Sequence, residues 1–527
     1  MPHAKVRLSL QILLAGLGIV VFAGAARAQK RSNLPPIDRS AVYKTHVPHI
    51  NPHLPGLTKP ASPGNGNGHN GGGSSGGGGT CSPSGIFTCT QYTVGANTTA
   101  TDTQPEAEEE IAADPSDGNN LVAAISDFSL RGGYNTTKYA WSSDNGSTWS
   151  DAYVPLDGAT SEPITGDGLI WQANSDPVVA FDDQGHVYMS NLYLSVDNSG
   201  NVSGTGLYVS EADWSGAFGF SQAHTYTVAS HYGSLAVEED KPWITVDDTR
   251  LSGGCRPVYA TWTRFVSNTD YIVFSRSLNC GVSWSTTPVQ ISDPGFNGAV
   301  QGSQVVVGPP TGSSTPGVIY VAYEVYLVGG QGVQFVTMSA DGGSTWSASY
   351  EASPVFKQLS YNSTYRKNSF ASLAVSPSNN YVYMVYADQP SSRSGAHIEF
   401  LWSSDSGVTF STPVSINDTS SGQRLMPSVV TDAVGTVHTS WFDTRNSSRK
   451  SSGMDIYAAR STDNGTTFSF NTRVTSSSFS PGSTSFIGDY AGNAAGTVAN
   501  GATTYYAHPV WTNGGFSGGQ LQTSALH

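Results

Sequence analysis

Charged and tyrosine side chains recur where short apolar runs of this chain begin and end. Only 12% of all residues are charged, so their concentration at these points predicts a polar ligand site. Carboxylates can transfer protons there, and arginines can bind an anionic group through two parallel hydrogen bonds. The residues leading into the first strand of each predicted unit are Glu108, Glu109, Asp176, Asp240, Lys241, Arg366, Arg424, Asp489 and Tyr490. The residues following the second strands are Asp127, Tyr193, Arg264, Glu324, Asp388, Asp443 and Arg445.

Proline marks the start of three of these first strands. Proline is tolerated there because the first residue of a strand needs no ladder donor, and the residue before it is expected to be extended. The three pairs are Asp176–Pro177, Lys241–Pro242 and Met426–Pro427. For Asp176 and Asp240, capping of a neighbouring backbone turn is the alternative to a functional role.

The elements that carry these residues repeat along the chain. Seven short apolar runs, each ending in a turn, recur between residues 108 and 496, and a hairpin follows most of them. Such a period of short strands, separated by turn residues, predicts a β-propeller with four-stranded blades. Seven blades are favoured, with six as the alternative, and residues 87–95 are expected to supply the missing outer strand of the last blade.

The hairpins share the pattern Ser-x-Asp-x-Gly-x-Thr-aromatic. When five copies and one degenerate site are counted together, successive starts lie roughly 60–70 residues apart, which is the length of one blade. The copies are "SSDNGSTW" (142–149), "SLNCGVSW" (277–284), "SADGGSTW" (339–346), "SSDSGVTF" (403–410) and "STDNGTTF" (461–468), with a degenerate site at 210–218. The Asp accepts hydrogen bonds from turn amides, the Gly permits a positive φ and the aromatic side chain packs on the blade. Because Asn279 replaces the Asp in one copy, we interpret the motif as structural.

This motif resembles the Asp-box, the bacterial neuraminidase repeat of the sialidase superfamily, over roughly residues 100–525. The resemblance implies a secreted sialidase-like exo-glycosidase acting on terminal sugars. Such an enzyme uses an arginine cluster to bind the substrate carboxylate, a Tyr–Glu pair as nucleophile and an Asp as acid/base.

Applied to this sequence, the resemblance implies a specific set of site residues. Tyr490 beside Asp489 is the expected nucleophile, Glu239 or Glu324 its base, and Asp176 or Asp240 the acid. The residues expected to bind substrate are Arg264, Arg366, Arg424, Arg445, Glu324 and Asp388.

Two features depart from the sialidase pattern. The Arg-Ile-Pro motif is missing, since the nearest string, "EPITGDG" (162–168), lacks the arginine. Sialidases also have six blades. A general two-carboxylate glycosidase and a non-catalytic carbohydrate-binding propeller therefore remain as alternatives. A polysaccharide lyase on a propeller is a third alternative, which would need a base and usually a metal site. No metal ligands or cofactor are assigned, although the acidic loops leave a structural calcium ion open.

The N-terminal composition defines three regions. Residues 1–28 combine basic residues, an apolar run and a small-residue cleavage site, as in a signal peptide. Residues 29–84 are Pro- and Gly-rich and are expected to form a linker before the propeller at 85–527. The protein is therefore expected to be secreted, extracellular or periplasmic, without a membrane span.

Charge and cysteine content agree with that location. A net charge of −14 without a basic cluster in the mature chain excludes nucleic acid and leaves a glycan as the expected partner. Cys255 and Cys280 flank a predicted hairpin and are expected to form a disulfide, with two free thiols as the alternative.

Overall fold

The computed structural model describes residues 34–40, 82–102, 106–131, 134–155, 168–198, 201–214, 218–267, 269–310, 316–361, 363, 365–391, 395–447, 453–480, 486–500, 502–514 and 519–527. The predicted signal peptide and the Gly-rich part of the predicted linker lie outside these residues, as does most of "EPITGDG".

Seven four-stranded antiparallel sheets follow one another along the described chain, and we number these blades in chain order. Blade 1 contains Glu106–Ala113, Leu121–Arg131, Tyr134–Ser142 and Ser150–Tyr153. Blade 2 contains Ala173–Phe181, His186–Val196, Val202–Asp213 and Thr225–Ser230. Blade 3 contains Val237–Val246, Val258–Val266, Thr269–Ser277 and Val289–Gln290. Blade 4 contains Val300–Pro310, Gly317–Leu327, Gln331–Ser339 and Tyr350–Glu351, with Phe356–Lys357 as an added segment.

The remaining blades complete the chain. Blade 5 contains Ser372–Val375, Val382–Asp388, His397–Ser403 and Val414–Ser415. Blade 6 contains Arg424–Thr431, Val437–Asp443, Asp455–Ser461 and Thr472–Arg473. Blade 7 contains Asn493–Asn500, Ala502–Thr512, Leu521–Thr523 and, from the other end of the chain, Thr98–Thr99. In the described part of the chain, two 3₁₀ helices lie in connections, namely Gln222–His224 and Pro294–Phe296.

The first strands line the centre of a closed ring. Each contacts the first strand of the next blade, and that of blade 7 contacts that of blade 1. Hydrophobic clusters fill the space between neighbouring blades, as where Tyr188 of blade 2 and Trp262 of blade 3 share one cluster. The predicted seven-bladed propeller is confirmed, and the six-bladed alternative is wrong.

Blade 7 joins the two ends of the chain, but in a different register from the predicted one. Thr98–Thr99 pair with Gln522 and Thr523, and Val94 bridges Leu526. The start of the predicted segment instead pairs with blade 6, where Phe87–Thr88 run parallel to Phe468–Ser469. The N-terminal and C-terminal segments thus pair with each other in blade 7, and the N-terminal segment also pairs with blade 6.

A β-bulge interrupts the first strand of five blades near its start. The ladder register shifts between Ala107/Glu110, Ser175/Val178, Asp240/Trp243, Gln301/Gln304 and Leu425/Ser428. The bulge residues all have positive φ and are Glu108, Asp176, Lys241, Gly302 and Met426. The expectation of an extended residue before each proline is therefore wrong, because the bulge places that residue in the left-handed region and leaves the proline outside the ladder.

One segment outside the blades is held to the propeller, and one disulfide joins two connections of blade 3. Residues 34–40, inside the predicted linker, lie against blade 4: Ile37 bridges Leu327, and Asp38 N donates to Tyr326 O at 2.9 Å. The predicted Cys255–Cys280 disulfide is present, with a Cα–Cα distance of 5.1 Å. Among the described residues, no helix is long and apolar enough to cross a membrane.

Candidate active site

Side chains from three blades, and from the segments that lead into two others, meet at the centre of the ring. We call Glu108, Asp176, Asp240, Lys241, Arg366 and Asp489 the axial cluster. The bulges of blades 1 to 3 direct the first four residues inward, and Arg366 and Asp489 precede the first strands of blades 5 and 7. Lys241 of blade 3 pairs with Asp489, which leads into blade 7 on the other side of the ring, so the contact crosses the axis.

Asp489 is the hub of this cluster. Its Oδ2 pairs with both Lys241 Nζ and Arg366 Nη2, and Asn368 Nδ2 donates to its Oδ1 at 3.1 Å. Burial acts to lower the pKa of Lys241, but the carboxylates of Asp240 and Asp489 outweigh it and raise that pKa. Asp489 is therefore held as a carboxylate between two cations.

Glu108 and Asp176 form a buried carboxyl pair next to this hub. Ser175 Oγ donates to Asp176 Oδ1 at 2.7 Å, and Ser126 Oγ donates to Glu108 Oε2 at 3.2 Å. Burial and the nearby Asp176 raise the pKa of Glu108 well above its ordinary value, and burial also raises the pKa of Asp176. Two carboxyls in such contact do not both ionise, and the larger upward shift of the Glu108 pKa favours Glu108 as the protonated partner.

A small cavity adjoins the hub. Its volume is about 40 Å³, room for roughly three water molecules, and its walls include Lys241, Trp243, Asn368, Asp489 and Tyr490. Its wall is mixed, with polar groups that could hold hydroxyls of a ligand beside an aromatic surface.

Tyr490 lines this cavity, but its side chain is held by contacts with its neighbours. Its hydroxyl donates to Pro177 O at 3.2 Å, and its ring meets Trp243 edge-on at 5.4 Å between centroids. Burial raises its pKa well above the ordinary value, and the charges of Glu108 and Asp176 act in the same direction. The phenolate form is thereby disfavoured.

Glu239 and Arg264 lie apart from the hub as an ion pair of blade 3. They face each other across the ladder, with Arg264 Nη2 at 2.5 Å from Glu239 Oε1. His231 Nε2 and Trp262 Nε1 also contact this carboxylate, at 2.9 and 2.5 Å. Although burial opposes it, these contacts lower the pKa of Glu239. The structure does not bring Glu239 to the hydroxyl of Tyr490, which bonds Pro177 O instead.

Arg424 and Arg445 belong to a third site, in blade 6. Arg424 is fully buried, with Nε at 3.0 Å from Asp443 Oδ2 and Nη1 donating to Ala396 O at 2.8 Å. Arg445 pairs with Asp443 at 2.7 Å and with Asp418 at 2.6 Å. The four predicted arginines are thus distributed over three separate ion-pair networks, and only Arg366 reaches the axis.

The last two predicted residues both accept hydrogen bonds from the segment that follows the fourth strand of blade 4. Glu324 accepts a hydrogen bond from Gln358, and burial raises its pKa to about 8. Asp388 accepts from Lys357 N at 3.0 Å. Sequence reasoning noted the positions of Glu108 and Lys241 but gave them no role, and it missed Asn368. The signal for Lys241 was the bulge position itself, which Pro242 marks, whereas no proline follows Glu108.

Comparison with known proteins gives structural matches only. No family model and no curated protein matches this chain. Among solved structures, the NanB sialidase from Streptococcus pneumoniae, in complex with a chlorobenzyl-ammonio ethanesulfonate, is 13% identical over 84% of this chain and 71% of that one, with a TM-score of 0.41. The intramolecular trans-sialidase from Ruminococcus gnavus, in complex with oseltamivir carboxylate, is 13% identical over 82% and 97%, with a TM-score of 0.38. Trypanosoma rangeli sialidase, with 2,3-difluorosialic acid, is 12% identical over 80% and 54%, with a TM-score of 0.34. TM-scores in this range carry no argument about activity.

Proposed function

We propose that this protein is a secreted glycoside hydrolase that uses the carboxyl groups of the axial cluster. The observation that carries the proposal is the pairing, in one site, of a protonated carboxyl with a fixed carboxylate. Glu108 holds a proton because it is buried against Asp176, whereas Asp489 stays ionised between Lys241 and Arg366. Glycosidic bond hydrolysis needs one carboxyl group in each state.

The residue roles follow from these states. Glu108 supplies the proton to the leaving oxygen and Asp176 tunes its acidity. Asp489, which lines the cavity, is the carboxylate that faces the sugar. The raised pKa of Tyr490 and its bond to Pro177 O favour a carboxylate rather than a phenolate for that second role.

The charge balance favours a neutral sugar over sialic acid. A substrate carboxylate needs cations that are not already compensated. Here Arg366 and Lys241 both pair with Asp489, and the three other predicted arginines are bound to Glu239, Asp443 and Asp418.

The test is turnover of a panel of chromogenic glycosides, with neutral, uronic and sialic acid sugars, by the secreted protein. We expect turnover of a neutral glycoside and a loss of kcat of at least ~10²-fold in Asp489→Asn. Asp388→Asn, which removes a carboxylate outside the cluster, is the matched control and should retain activity. Turnover restricted to sialosides would contradict the choice of sugar, and equal activity of Asp489→Asn would contradict the site.

A carbohydrate-binding propeller without catalysis is the second candidate. It is favoured by the aromatic part of the cavity wall, formed by Trp243, Phe370 and Tyr490, on which a sugar ring could stack. Retention on a glycan array without turnover of any panel substrate would select this candidate.

A further inference from the structure

His186, Glu211 and Asp213 lie on one face of the hairpin formed by the second and third strands of blade 2. His186 pairs with Asp213 across the ladder and Tyr188 pairs with Glu211, so the three side chains share a face. One ligand atom of each residue lies within 4.8 Å of the other two. This spacing is short enough for one ion to contact all three.

The same hairpin differs from those of the motif-bearing blades. There the first Ser of the motif ends the ladder, as Ser142 opposite Leu121 and Ser403 opposite Val382 do. In blade 2 the equivalent Ser210 pairs with Met189, and three more residue pairs follow, ending at His186–Asp213. The lengthened part of the hairpin carries all three polar residues, which therefore replace the hydrogen-bonded motif turn.

A separate carboxylate orients the histidine. Asp182 is fully buried, and its Oδ2 lies 2.7 Å from His186 Nδ1, while its Oδ1 accepts from His186 N at 2.8 Å. The other ring nitrogen, Nε2, points to the hairpin carboxylates, 3.6 Å from Asp213 Oδ1. Histidines that bind metals are typically held in this way, through the nitrogen that does not bind the ion.

The two carboxylates of this hairpin also favour binding of a cation. Glu211 and Asp213 stand two residues apart on one face, so their carboxylates repel each other. His224 Nδ1 lies 3.2 Å from Glu211 Oε2 and places a second imidazole at the same carboxylate.

We propose that blade 2 binds one divalent transition-metal ion, of the zinc type, through His186 Nε2, Glu211 and Asp213, with His224 as the candidate fourth ligand. Imidazole together with carboxylate suits zinc and its neighbours, whereas calcium and magnesium prefer oxygen ligands alone. The site lies at the opposite end of the first strand from Asp176 and is independent of the proposed hydrolase activity. Its expected role is to hold the lengthened hairpin in place of the motif turn.

Zinc binding to the purified, chelator-stripped and untagged chain tests this site. We expect calorimetric titration with Zn²⁺ to show one site per chain, and its affinity to fall at least tenfold in His186→Ala and in Glu211→Gln. Asp182→Asn, which removes the orienting carboxylate, should lower affinity ~10- to 100-fold. The control is His397→Ala, a half-buried histidine of blade 5 that should leave binding unchanged.

Thermal unfolding with and without Zn²⁺ is a second measurement. Its result does not depend on whether any single variant folds, because the wild type is measured as well. Zn²⁺ should raise the melting temperature of the wild type and of His397→Ala, but not that of Glu211→Gln. No zinc binding by the wild type would overturn the proposal. Equal zinc affinity in His186→Ala and Glu211→Gln would overturn it as well, because the ion would then be bound elsewhere.

Discussion

The chemistry proposed for this molecule rests on buried titratable groups at the ends of strands. Glu108 and Asp176 occupy bulge positions with φ of 63° and 51°, a region that non-glycine residues rarely adopt. Such strain is retained where the surrounding structure over-determines it, as it is at functional sites. The same two residues share a proton, so an unfavourable backbone conformation and an unfavourable pair of like charges coincide at the axis.

Glu108→Gln tests the proton at this pair. Gln keeps the shape and the hydrogen-bonding capacity of the protonated acid but cannot release a proton, so kcat should fall by about 10²–10⁴-fold. In the wild type, activity should fall as pH rises through the raised pKa of Glu108, because the protonated form is the active one. A pH–rate profile of both proteins measures this, and a Glu108→Gln variant with wild-type kcat would contradict the assignment.

His508 predicts a loss of stability in acid. Its ring is fully buried, its Nε2 lies 2.8 Å from Asn145 Oδ1, and burial lowers its pKa from 6.5 to about 4. Between these values the unfolded chain binds a proton that the folded chain does not. The stability is therefore complete above pH 6.5 and falls by up to about 3 kcal/mol as pH drops towards 4.

Urea unfolding at pH 7 and pH 4.5 measures this contribution. His508→Gln, which has no proton to gain, should lose less stability over that interval than the wild type. An equal loss in both proteins would show that other groups carry the acid response.

The repeated motif acts at the scale of the blade hairpin. Asp341 Oδ1 accepts from Ser344 N at 2.9 Å and Thr345 N at 2.8 Å, and its Oδ2 accepts from Thr345 Oγ1 at 2.6 Å. Gly343 has φ of 83°, and a Cβ there would lie 2.3 Å from Phe274 Cε1 of the preceding blade. The motif therefore closes the turn of its own blade and fits that turn against its neighbour.

Asp341→Ala should destabilise the protein by about 1–3 kcal/mol, because several turn donors lose their acceptor. Asp341→Asn should lose less, because Asn279 in blade 3 accepts from Ser283 N at 3.0 Å in the same way. Urea unfolding of the two variants measures the difference. Equal destabilisation by Asn and Ala would contradict a role based on hydrogen-bond acceptance alone.

The whole molecule depends on the closure between blades 7 and 1. Strands from both chain ends complete blade 7, and Gly118 of blade 1 donates to Thr497 O of blade 7 at 2.9 Å. A Cβ at Gly118 would lie 2.4 Å from Thr497 N, so the two backbones can approach only because this residue has no side chain.

Gly118→Ala should lower the melting temperature because it forces these two blades apart. Gly253→Ala is the control: its Cβ would meet nothing within 4 Å, and only the cost of its φ of 60°, about 1 kcal/mol, applies. Differential scanning calorimetry compares the two. A Gly118→Ala variant no less stable than Gly253→Ala would show that blades 7 and 1 can move apart without loss of stability.

By itself the sequence determined the blades of this protein, because their signals are local. Strand alternation, turn residues and the spacing of the motif each act within a few residues, so they predicted seven blades and the Cys255–Cys280 hairpin disulfide. Strand ends also placed Asp176, Asp240, Arg366 and Asp489 in a shared site, because strand topology brings such positions to the axis.

Only the tertiary structure decided which charges pair with one another. Arg264, Arg424 and Arg445 occupy positions similar to that of Arg366, yet they bind carboxylates of their own or adjoining segments. Partner choice depends on side-chain direction across the ring, on burial and on the bulge that turned Glu108 and Lys241 inward. None of these is expressed in residue spacing, since each arises from contacts between segments far apart in the chain.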